Sequence, residues 1–74
     1  MKITKNTQAY QVAELMGNDA TVTEGREMLA LCRFMGFTNT EMIPDTVWQE
    51  MLNNVVVTGL SIEQDEAVKK HYSK

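Results

Sequence analysis

Apolar residues recur at helical spacing in four stretches of this chain, and the first three end at a glycine that stops a helix. The first places Ala9, Val12, Ala13 and Met16 on one face, with Tyr10 and Leu15 flanking and Gln8, Gln11 and Glu14 opposite. Thr7 as N-cap and Gly17 as the residue past the end predict a helix over 8–16. The second opens with a capping box, Thr21 and Glu24, and is apolar nearly all round through Met28, Leu29, Ala30, Leu31, Cys32, Phe34 and Met35. That pattern predicts a central helix over 22–35, stopped at Gly36, with Phe37 folding back on Cys32. Gly25 in its first turn costs up to about 1 kcal/mol relative to alanine. A helix end absorbs that cost, and close approach by another chain is a second explanation.

Thr38 and Glu41 repeat the capping-box spacing and predict a single helical turn. Pro44 stops it and serves as the first residue of a third helix over 44–57, with Val47, Trp48, Met51, Leu52 and Val55 inward. Val55-Val56-Val57 favours a strand locally, but no second strand exists to pair with it, so it reads as the last helical turn before Gly59. Ser61 and Gln64 cap a fourth helix over 62–71, with Ala67, Val68 and Tyr72 inward. Glu63, Asp65 and Glu66 sit in its first turns and Lys69, Lys70 and His71 in its last, as the helix macrodipole favours. The expectation is an all-α fold: a small compact bundle of about four helices joined by short loops, forming one domain over 1–74.

Length and composition narrow the function. Seventy-four residues are near the lower limit for one unaided core. The longest unbroken apolar run, MLALC at 28–32, cannot span a bilayer, and MKITKNTQ lacks the apolar core of a secretory signal, so a cytosolic protein is expected. The only cysteine, Cys32, lies among core residues and reads as a buried small hydrophobe. Glu24 with Glu27, and Glu63 with Glu66, share helix faces, but metal loops and di-iron sites need more oxygen donors or Glu-x-x-His. The loop GNDATVTEG lacks the Lys-Ser/Thr of a phosphate-binding loop. No nucleophile–base pair, metal set or cofactor site can be drawn from this inventory, so a non-enzymatic protein is expected. The methionines and Trp48 read mainly as core, with Met42 partly exposed.

Charge is unevenly placed. All ten acids lie between Glu14 and Glu66, where only Arg26 and Arg33 oppose them, so that segment carries a net −8 while the ends are basic. A helix-turn-helix outline at FMGFTNTEMIPDTVWQEML would place PDTVWQEM in the groove, with no Arg or Lys for bases or phosphates. An acidic body suits a basic protein surface instead.

The opening MKITKNTQAYQVAELMG, through Met1-Lys2-Ile3-Thr4, Thr7, Tyr10 and Val12-Ala13-Glu14-Leu15-Met16-Gly17, resembles a family of phage-encoded type I-E anti-CRISPR inhibitors. Gly25-Arg26 continues the match, and Trp48 has a counterpart. The resemblance covers about the first third of the chain. It implies a stoichiometric inhibitor that binds a Cas protein or Cascade-type surveillance complex, or the nuclease-helicase, in the bacterial cytosol. It carries no binding residues of its own. From charge, the candidate partner-binding residues are Asp19, Glu24 and Glu27, then Glu63, Asp65 and Glu66. A second class, a small helical modulator of DNA or of a DNA-binding partner, rests on Ile43, Pro44, Val47 and Trp48 in IP-x-x-VW.

Overall fold

The computed structural model describes residues 1–73 and contains four α-helices: α1 Ala9–Met16, α2 Val22–Phe34, α3 Asp45–Asn53 and α4 Ile62–Tyr72. No strand is formed among the described residues. Lys74, one of the basic residues at the ends, lies outside them.

The helix ends follow local chemistry, with small corrections. Thr7 is not the N-cap of α1; Gln8 is, and its N–H donates to Gln11 Oε1 at 2.8 Å. The Thr7 hydroxyl instead accepts from the Thr4 N–H at 2.8 Å, turning the chain into the helix. The expected capping boxes of α2 and α4 both form. Past α2, Gly36 takes φ 80°, and the Phe37 N–H returns to the Cys32 carbonyl at 2.9 Å. The next turn is a 3₁₀ turn, Thr40–Met42, capped by Asn39 rather than Thr38: Asn39 Oδ1 accepts from the Glu41 N–H at 3.0 Å. Pro44 is the N-cap of α3 and not its first residue. The valine run is helical as expected but widens into a π-turn, Asn54–Thr58, which buries Val55 and turns Val56 and Val57 to solvent.

The core gathers around α2. Met28, Leu29, Ala30, Leu31 and Cys32 are buried there, joined by Val12 and Ala13 of α1, Met51 of α3 and Val55 of the π-turn. Gly25 is explained by α1 of the same chain and not by a second chain. A Cβ at Gly25 would lie 2.3 Å from the Ala9 carbonyl oxygen and 2.8 Å from the Ala13 Cβ. Only glycine lets the two helices approach this closely.

Two features have no counterpart in the helical pattern. The N-terminal segment lies alongside residues 38–40: the Ile3 N–H donates to the Thr38 carbonyl at 2.8 Å and the Thr40 N–H to the Met1 carbonyl at 2.9 Å. This clip buries Ile3 beside Ile43 in the core. The second concerns the end of α2. Phe34 and Met35, expected inside, are 55% and 48% exposed. So short a chain has too few elements to cover every side of a central helix.

Candidate functional site

Of the acidic candidates, Glu24 is held by the capping chemistry of a helix start. Glu24 Oε1 accepts from the Thr21 N–H at 2.9 Å and from the Thr21 hydroxyl at 3.2 Å, which fixes the carboxylate at the first turn of α2. At the start of α4 the capping box is closed by an amide instead, with the Ser61 N–H donating to Gln64 Oε1 at 2.9 Å. Glu27 stands one turn beyond Glu24, half-buried. Its carboxyl is raised above the ordinary range, first by burial and then by the negative charges of Asp65 and Glu24. Packing α4 against α2 thus brings acids from both helix starts into one field.

The six sequence candidates fall into three groups. Glu24, Glu27 and Asp65 are electrostatically joined. Asp19, exposed in the loop before α2, shares with Glu24 a cleft of about 260 Å³ whose other walls include Met16, Leu52 and Val56. Glu63 and Glu66 stand exposed on α4. Asp65 is partly neutralised by Lys69, whose ammonium lies 2.9 Å from it and is held more firmly protonated by that bond.

Neither arginine of the acidic segment pairs with a carboxylate among the described residues. The Arg26 guanidinium lies 3.9 Å from the Tyr72 ring centroid, and the Tyr72 hydroxyl donates to the Arg26 carbonyl at 2.7 Å. Burial raises the Tyr72 hydroxyl's pKa, while Arg26 and Arg33 pull it down. Arg33 donates to the Thr4 carbonyl and lies 3.1 Å from His71 Nε2, which must accept because a guanidinium only donates. Arg26 therefore fastens α4 to α2, and Arg33 ties both α4 and the chain at Thr4 to α2, so neither is spent on an acid. These pairings span about half the chain, and no local sequence signal announces them.

The remaining candidates are structural. Burial raises the Cys32 thiol to about 11, so it stays protonated at neutral pH. Ile43 is buried, with Val47 and Trp48 half-buried against the core, so three of the four residues of IP-x-x-VW help to pack the start of α3. Among the described residues no three His, Cys, Asp or Glu side chains gather as a metal set. No helix among the described residues is long and apolar enough to cross a membrane.

A family model described as anti-CRISPR type I subtype E3-like matches residues 1–67. No curated protein matches the chain. The match runs from the N-terminal clip into α4, and the chain belongs to this anti-CRISPR family.

Proposed function

We propose that this anti-CRISPR family member blocks a type I-E CRISPR–Cas system by binding a basic surface of the surveillance complex or its nuclease-helicase, in the host cytosol. The binding face is the acidic patch of Glu24, Glu27 and Asp65, extended by Asp19, with Glu63 and Glu66 adding to the field that steers encounter. One observation carries this reading: Glu27 is partly buried and lies within the negative fields of Asp65 and Glu24, although capping and the helix dipole do not require it there. Gathering like charges at a semi-buried site costs stability, and a merely solvated face has no need of it.

The target machinery handles RNA and DNA, so its working grooves are cationic. Complementary charge accelerates association, and apolar contacts beside the patch set residence time. Leu52 and Val56, beside Asp19 and Glu24, supply such contacts. Inhibition is then stoichiometric and not catalytic.

The test is DNA cleavage by a reconstituted type I-E complex and nuclease-helicase, titrated with this protein. Cleavage should fall to a plateau near one inhibitor per binding site, and pulldown without nucleic acid should retain one of the two components. Unchanged cleavage at large excess would refute the reading, and so would substoichiometric, time-dependent inactivation.

A further inference from the structure

Further along the same two helices from Glu27 and Asp65, α2 and α4 enclose a groove of about 300 Å³ lined by Ala30, Arg33, Phe34, Ala67, Lys70 and His71. Its floor is apolar, and Arg33 and Lys70 give its rim positive charge. An occupant suited to it presents an apolar side chain flanked by carboxylates. The molecule carries such a group on the same helix. Ile62 is 82% exposed at the start of α4, the most exposed of the large apolar side chains, and Glu63 and Glu66 stand exposed beside it.

We propose that two copies of the chain pair through α4, Ile62 with Glu63 and Glu66 of one entering the groove at Phe34, Ala67 and Lys70 of the other. The proposal concerns contact between copies and does not depend on which Cas component is bound.

Three features of the molecule support it. Glu63, Glu66, Ala67 and Lys70 recur at i, i+3, i+4 and i+7, so knob and groove adjoin one stripe of α4. When the two halves of a contact lie side by side on one surface, a two-fold axis between them makes the same contact twice and closes the assembly. With the two α4 helices running in opposite directions, Glu63 of each copy lies opposite Lys70 of the other, and the small Ala67 lets the helices approach. Only part of one helix is used, which puts the contact at or below the roughly 1,200–2,000 Å² of standard stable interfaces. A weak, concentration-dependent dimer is therefore expected. In that dimer Glu63 and Glu66 serve the contact between copies.

Sedimentation velocity of the full chain, from micromolar to millimolar concentration, tests this directly. The wild type should rise from 8.4 kDa towards twice that mass and shift back towards monomer as salt is raised. Ile62→Asp and Lys70→Glu should each hold the chain at the monomer mass with unchanged circular dichroism. The charge exchange Glu63→Lys with Lys70→Glu should restore the dimer. A wild type that stays monomeric throughout overturns the proposal. So does a dimer indifferent to Ile62→Asp and Lys70→Glu, or one that the charge exchange fails to restore.

Discussion

The two ends of this molecule are held in different ways. At the front, α1 and α2 meet backbone to backbone across Gly25, and the N-terminal clip buries Ile3 under them. At the back, α4 buries no residue fully and is fastened by Tyr72 on Arg26, His71 on Arg33 and the half-buried Val68. The front resists change through packing, which tolerates little alteration of volume. The back rests on a few polar ties, and none of its side chains is fully buried. The contrast separates a scaffold that sets the fold from a helix free to carry surface chemistry. Many of the residues behind the family resemblance lie in the scaffold: Ile3 in the clip, Thr7 in the turn, Val12 and Ala13 in the core, and Gly25 between the helices.

The largest effects are expected at the front. Leu31→Ala leaves a cavity beneath α2 and should cost about 2–5 kcal/mol, enough to threaten so small a domain. An unchanged denaturant midpoint would show that the core is not centred on α2. Gly25→Ala forces α1 and α2 apart, because its Cβ would lie 2.3 Å from the Ala9 oxygen. A loss of about 1–3 kcal/mol is expected, as for other overpacked sites. A stabilised variant, following helix propensity alone, would mean that the close approach is not maintained in solution.

At the back the effects should be smaller and local. Tyr72→Phe removes the 2.7 Å bond to the Arg26 carbonyl and should cost about 0.5–1.5 kcal/mol. Hydrogen exchange should quicken in α4 while α1 and α2 keep their protection. Uniform quickening across all four helices would erase the distinction between scaffold and carried helix.

The smallest effect has a pH signature. The Glu27 carboxyl is raised above its ordinary value of 4.5, so the folded chain holds that proton more tightly than the unfolded chain. Stability therefore falls as pH rises from the ordinary value through the raised one, and the loss persists at neutral pH. Glu27→Gln should give a slightly higher unfolding midpoint than wild type at pH 7. The difference should vanish below the ordinary carboxylate range, where both side chains are neutral. A variant less stable at pH 7 would mean that the Glu27 carboxylate is welcomed rather than strained by its neighbours.

What the sequence revealed and what it hid follow one physical line. The four helices and most of their stops were legible because capping boxes, glycines and the proline act over three or four residues. The clip of Met1–Ile3 on Thr38–Thr40 and the Arg26–Tyr72 contact were not, because pairings so distant along the chain leave no periodicity to read. Val55 to Val57 showed a helix end but not the π-turn, which depends on how Val55 reaches the core. The apolar period placed Phe34 and Met35 inside, and only the number of covering elements could place them outside. The charge count singled out the acidic candidates one residue at a time. It could not show that Glu27 of α2 and Asp65 of α4 share one field, since that depends on how the two helices pack.

That shared field is the centre of the account, and its most direct test is the association rate with the purified type I-E surveillance complex and with the nuclease-helicase. Wild type should be compared with Asp19→Lys/Glu27→Lys at low and high salt, with the fold of both checked by circular dichroism. The account predicts that the double reversal binds several-fold more slowly at low salt, and that the two proteins converge as salt screens the field. Equal rates and equal affinities at both salt concentrations, with wild type bound, would contradict it and move the binding surface off the starts of α2 and α4.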